Sequence, residues 1–268
     1  MINNVPINAD PRELVVTEEL LVSDGYLFTK PEDYHPYCPV DYTNDTSAEI
    51  CWLGDTSLAL MDVNTELPEV ISTYNSWIKS FVEEYGFDGL RIDAAKHVPE
   101  TFWPDFCAAA GVYCIGEVFA QDMPFVPSAR LTTTRLFCDV LTVSPPLRRT
   151  CKRYADVMDG IMNYPVYFGM MDAFQLPGPA NMSSLVDVLT KVNETLPDTH
   201  ALGVFIENHD LPRFANTTVD PQLQFTTLAF QFVIDGIPIV YYGQEQGFRG
   251  IADPVRSLVF RQSVVSRR

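Results

Sequence analysis

The sequence predicts an α/β fold built on a parallel sheet, and three observations point there. Segments of helical period alternate with short apolar runs, which is the rhythm of βα units. Three of the four apolar runs end in a carboxylate followed by a turn. With 268 residues, 47% hydrophobic and 20% charged, the chain can bury a full core, as one large domain or two smaller ones.

Residues 1 to about 30 sustain no period. The stretch "KPEDYHPYCPVDYTNDTSAEICWLGD", rich in Tyr, Pro, Asp and Cys, predicts a long structured loop. Ile71, Tyr74, Ile78, Phe81, Val82 and Tyr85 then repeat at helical spacing, and Gly86 follows as a stop. "FDGLRID" is the first short buried strand, "PETFWPDFCAAAG" a short helix ending at Gly111, and "VYCIGEVF" the second strand. Leu185, Val188, Leu189 and Val192 mark another helix, with Ser183 or Ser184 as its cap. "LGVFIENHD" is the third strand. Asp220 and Pro221 form a cap and first helical position for "PQLQFTTLAFQFVID", and "GIPIVYYGQE" is the fourth strand. Residues 122 to about 150 break the rhythm: basic and rich in Thr and Pro inside an acidic chain, they read as an inserted loop.

Charge narrows the function. A net charge of −17 repels nucleic acid and anionic membrane surfaces, so neither is expected as a partner. No apolar run approaches the roughly 20 residues of a membrane span. The start, "MINNVPINADPREL", has neither a basic n-region nor an apolar h-region, so no signal peptide is expected in this chain. No CxxC pair is present, which argues against a zinc ribbon. Cys38 and Cys51 close a short loop that would suit a disulfide in a secreted protein, and the sequons at Asn44, Asn181, Asn193 and Asn216 would suit a secreted glycoprotein.

The strand-end acids are Asp93 in "GLRID", Glu117 in "YCIGE" and Asp210 in "FIENHD". In a parallel α/β barrel the C-terminal strand ends form one face, so these acids would share it. A single Asp after a strand is as often a cap or turn former, but three together weaken that reading. Cleaving a glycosidic bond needs one carboxylate at the anomeric carbon and one carboxylic acid to protonate the leaving oxygen. Arg91, two residues before Asp93 and on the same strand face, can hold Asp93 ionised. Glu117, flanked by Ile115, Val118 and Phe119, has the apolar surroundings that suit the proton donor.

"GFDGLRIDAAKH", "GVYCIGEV" and "FIENHD" resemble three sequence regions of the α-amylase superfamily of glycoside hydrolases. The wider match, with "YHPYC", "CWLGD", "VMDGIMNYPVYF", "ENHDLPRFA" and "DGIPIVYYGQEQ", resembles secreted fungal α-amylases from about Asp33 to Asp253. The resemblance implies retaining endo-hydrolysis of α-1,4-glucosidic bonds in starch, glycogen or maltooligosaccharides by a secreted monomer. Asp93 would be the nucleophile, Glu117 the acid/base and Asp210 the transition-state stabiliser. Arg91, Lys96, His97, His209 and Asp253 would bind substrate or orient the nucleophile. A Ca²⁺ ion would be held by Glu49, Asp62 and the His97 carbonyl, and retention would place the Asp93 and Glu117 carboxyls about 5 to 5.5 Å apart.

The implied fold is an incomplete (β/α)8 TIM barrel lacking the first strands and the C-terminal β-domain. Residues 1–32 would be an unmatched N-terminal segment and 33–64 a calcium-binding-type loop region. Residues 65–253 would form the partial barrel, interrupted at about 122–150, and 254–268 an unmatched tail. The family's Asn-His pair has no counterpart in residues 1–32, so its calcium ligand and its substrate-binding histidine are expected to be missing. Cys38 and Cys51 keep both members of an expected disulfide, whereas Cys151 matches a cysteine whose partner position is Leu196. Trp52, Trp103 and Tyr113 could offer faces to sugars, although aromatics so placed are more often core. Two alternatives share the scaffold: an inactive or carbohydrate-binding fragment, and a transglycosylase or α-glucosidase.

Overall fold

The structure, a computed structural model, describes residues 3–42, 44–119, 147–178 and 181–250. They fall into two compact units, the first running to Ile161 and the second starting at Met162.

In chain order the first unit contains β1 (Asn4–Ile7), α1 (Glu18–Ser23), α2 (Asp45–Ile50), β2 (Leu53–Gly54), β3 (Ala59–Asp62) and α3 (Pro68–Tyr85). β4 (Gly89–Ile92), α4 (Trp103–Ala110), β5 (Tyr113–Gly116), α5 (Leu147–Ala155) and β6 (Gly160–Ile161) complete it. α3 forms because Val70, Tyr74, Ile78 and Val82 recur every fourth residue and bury one stripe. Pro68 fits its first turn, and Gly86, at φ +66°, ends it in a left-handed cap. β4, β5 and β6 pair in parallel, in that order, with Ile92 opposite Gly116. Gly116 packs closely: a Cβ there would stand 2.5 Å from the Met158 sulfur, so that side chain would have to shift. A second, antiparallel sheet in the order β1-β3-β2 sets Asn4 opposite Asp62.

The second unit contains α6 (Tyr164–Phe174), α7 (Met182–Thr195), β7 (Gly203–Val204), α8 (Phe214–Thr217), α9 (Pro221–Gln231) and β8 (Ile237–Pro238). β7 and β8 are parallel, with Gly203 opposite Ile237. The expected runs "LGVFIENHD" and "GIPIVYYGQE" thus keep only two ladder residues each.

Several expectations are corrected. Residues 1 to 30 hold β1 and α1, and the long loop holds α2; these pieces are too short to display a period. Thr17 and Asn44 cap α1 and α2 with side-chain oxygens. α6 showed no amphipathic period because it is buried nearly all round. α7 is capped by Asn181, not by Ser183 or Ser184: the Asn181 side chain accepts from the Ser184 amide at 3.0 Å. The Asp220 cap holds, accepting from the Gln222 amide at 2.9 Å. Most of the inserted stretch lies outside the described residues, and its last residues belong to α5. Among the described residues, no helix is long and apolar enough to cross a membrane.

Candidate active site

The parallel register of β4 and β5 sets Asp93 and Glu117 one residue past adjacent strand ends. The Glu117 amide donates to the Ile92 carbonyl at 2.8 Å, and the Ala95 amide to the Glu117 carbonyl at 2.9 Å. Between them Ala94 adopts φ +52°, the one positive φ at a non-glycine among the described residues. An alanine in this left-handed region costs about 1–2 kcal/mol. The twist lets the Ala94 amide donate to Glu117 Oε2 at 3.1 Å. Backbone strain of this kind gathers at functional sites.

Arg91 ties both acids together. Its Nη1 lies 2.5 Å from Asp93 Oδ1 and its Nη2 3.1 Å from Glu117 Oε2. Partial burial pushes the Asp93 carboxyl up, but the Arg91 hydrogen bond and charge, with a hydrogen bond to Glu117, hold it below the usual range. Glu117 is 7% exposed, while the Asp93 side chain remains one-third open. A half-open, ionised carboxylate beside a buried carboxyl is the asymmetry that acid–base cleavage of an acetal requires.

Lys96 and His97 follow on a short helical turn. Lys96 Nζ stands 5.3 Å from the centroid of the Tyr42 ring. The His97 ring is buried edge-on to Tyr42 with Nδ1 2.7 Å from the Ala48 carbonyl, and burial together with the Lys96 charge lowers its pKa to about 4. A neutral imidazole follows at ordinary pH.

Each oxygen expected around calcium already has a protein partner. Asp62 Oδ1 and the His97 carbonyl both accept from the Asn3 amide at 2.5 Å. Asp62 Oδ2 lies 2.6 Å from His35 Nδ1, whose Nε2 lies 2.8 Å from Glu66. Burial alone would lower the His35 pKa; the hydrogen bonds to Asp62 and Glu66 raise it to about 9. Burial pushes Asp62 up to about 6 against the pull of His35. Glu49 faces the Arg153 guanidinium at 3.2 Å and the Tyr154 hydroxyl at 3.4 Å. Asn3 corrects the expectation that nothing in residues 1–32 serves this place: the β1–β3 register carries it beside Asp62. No local pattern marks it, since its partners are 59 and 94 residues away.

In the second unit Asp210 is exposed, with its carboxylate 3.2 Å from His209 Nε2. Asn208 shapes this turn by accepting from the amides of Asp210 and Leu211, each at 2.9 Å. Beneath it lies a pair that sequence reasoning missed. Glu207 and Arg213, 2% and 1% exposed, meet at 2.7 Å, and Glu207 also accepts from the Phe214 amide. Arg213 donates to the Tyr242 carbonyl at 2.7 Å and stacks 3.9 Å from the Tyr241 ring centroid. The acidic–basic spacing within "ENHDLPR" was the available signal. Asp253 lies outside the described residues.

Trp103 and Trp52 are buried and serve the core rather than a sugar surface. Cys38 and Cys51 are bonded, with Cα atoms 4.9 Å apart. Cys151 is disulfide-bonded as well, although its matching partner position is Leu196. Cys114 is a buried thiol.

Asp93 and Glu117 thus stand at adjacent parallel strand ends of an α/β scaffold, both held by Arg91. Comparison with known proteins gives the family. Residues 31–266 match the family described as "Alpha amylase, catalytic domain", and this chain belongs to it. It is 42% identical over 233 residues to Alpha-amylase 1 of Lipomyces kononenkoae, covering 87% of this chain and 33% of that protein. It is 39% identical over 228 residues to the α-amylase of Saccharomycopsis fibuligera, covering 85% and 41%. Among solved structures, an α-amylase from Malbranchea cinnamomea superposes with a TM-score of 0.78 at 39% identity, covering 95% of this chain and 47% of that one. The chain thus spans less than half the length of these relatives, and its α/β fold is of the barrel type they share.

Proposed function

We propose that this chain carries the reaction centre of a retaining α-amylase, hydrolysing internal α-1,4-glucosidic bonds of starch or glycogen. The observation that carries the reading is Arg91 bridging Asp93 and Glu117 at neighbouring strand ends. Asp93, kept ionised, attacks the anomeric carbon while Glu117 protonates the departing glycosidic oxygen. Water then attacks the glycosyl–Asp93 ester, and Glu117 takes up its proton. Arg91 stays with Asp93 and keeps it ionised. Asp210 and His209 are assigned to ring hydroxyls, with Asp210 as the stabiliser of the oxocarbenium-like transition state. Lys96, His97 and Asp253 complete the substrate contacts.

The names of the relatives support this reading, as does the family match. A secreted, glycosylated monomer acting on α-glucans is the matching setting; Asn44, Asn181, Asn193 and Asn216 are exposed. The calcium expected at Glu49, Asp62 and the His97 carbonyl does not fit the donors already seated on those oxygens, and no step runs through it. The partial coverage of the relatives favours a second reading, an inactive or sugar-binding fragment. Reducing-sugar release from starch by the purified chain and its Asp93→Asn variant decides between them. Release by the wild type alone supports the first reading; silence from a chain that melts cooperatively and still binds glucan supports the second.

A further inference from the structure

Arg153, on α5, is held by three carboxylates from two other elements. Its Nε lies 2.7 Å from Glu100 on the turn before α4, its Nη1 3.2 Å from Asp45 and its Nη2 3.2 Å from Glu49, both on α2. The next residue works in the same place: the Tyr154 hydroxyl, buried, donates to the Val98 carbonyl at 2.8 Å and lies 3.1 Å from the Lys96 carbonyl. One guanidinium and one phenol thus fasten α2 to the turn that carries His97. A planar fork with five donors can serve several carboxylates at once, which suits this position.

The geometry points to Arg153 as a built-in counter-cation that replaces a divalent metal on Glu49. Glu49 is one of the two acids expected to bind calcium, so the inference rests on that reading of the loop. A guanidinium already within 3.2 Å opposes a dication on the same carboxylate by like-charge repulsion. It also supplies what the metal would: positive charge that joins acids of separate elements. Asn3 does the equivalent at Asp62 and the His97 carbonyl with a neutral amide. This chain is therefore pinned around His97 without calcium.

Calorimetric titration with CaCl2, together with thermal melts in calcium and in EGTA, tests this in the full chain without recourse to hydrolysis. A failed starch assay would therefore count against the proposed function alone. The wild type is expected to show no stoichiometric uptake at about 1 mM calcium, and its melting midpoint should differ by no more than about 1 °C between the two conditions. Arg153→Gln leaves Glu49, Asp45 and Glu100 without their cation. It should melt several degrees lower in EGTA and recover part of that loss in calcium. Glu49→Gln should melt lower and stay indifferent to calcium. Stoichiometric sub-millimolar uptake by the wild type would overturn the inference, as would an Arg153→Gln variant no more responsive to calcium than the wild type. Should Arg153→Gln fail to fold in either condition, the wild-type titration decides alone.

Discussion

At the scale of single residues the site is an arrangement of charge. Asp93 carries the sharpest prediction, because its ionisation depends on Arg91. The folded pKa is lowered, so the ionised form is present above the ordinary Asp range and is lost only as pH falls through the depressed value. The acid limb of kcat/KM should accordingly lie below that range. Arg91→Leu should move it to higher pH and lower kcat, which a pH profile on a soluble maltooligosaccharide measures. An unmoved limb would show that Arg91 does not set the charge of Asp93. Ala94 gives a second prediction. Glycine accepts its left-handed backbone freely while a β-branched side chain resists it, so Ala94→Gly should be neutral or stabilising and Ala94→Val destabilising by about 1–2 kcal/mol. Urea melts would report both; a destabilised glycine variant would contradict the strain.

At the scale of elements, what positions the acids is mostly backbone. Asp93 and Glu117 are level because β4 and β5 are in parallel register, and Gly116 lets Met158 approach that strand end. The turn bearing His209 and Asp210 rests on the buried Glu207–Arg213 pair. Removing one partner of such a pair strands the other charge, so Arg213→Ala should cost about 3–5 kcal/mol. A double Glu207→Gln, Arg213→Met variant should lose less than the single changes summed, a difference that denaturant titration resolves. Additive losses would mean that the two side chains act independently. The Cys38–Cys51 bridge spans 13 residues, and on loop-closure grounds Cys51→Ser should cost about 3 kcal/mol. A melt unchanged by the substitution would place this loop's stability elsewhere.

Local pattern explains what could be read in advance. The α3 stripe, the Asp220 cap and the strand-end acids Asp93 and Glu117 each depend on neighbours a few residues away, and all lie where the sequence put them. What stayed hidden depends on distant partners. Asn3 is defined by Asp62 and His97, and Arg153 by Glu49, which lies 104 residues away. α6 was hidden for the opposite reason: burial on all sides erases the amphipathic period. The single-strand readings around Val204 and Pro238 were too long because apolarity outlasts the ladder there.

At the scale of the whole molecule the chain combines a matched catalytic-domain family with less than half the length of its relatives. Each compact unit has its own buried core, and each holds part of the proposed machinery: Asp93 and Glu117 in the first, Asp210 in the second. Net stability of folded chains is only about 5–15 kcal/mol, so loss of a few buried side chains decides whether the machinery is assembled. The proposed reaction turns on a covalent bond between Asp93 and the sugar. Incubating the Glu117→Gln variant with a fluorinated maltosyl fluoride, which glycosylates faster than it hydrolyses, followed by peptide mass mapping, addresses that bond. One maltosyl adduct is expected, on the peptide containing Asp93. An adduct on another residue, or none on a folded variant whose wild-type parent hydrolyses starch, would contradict that bond.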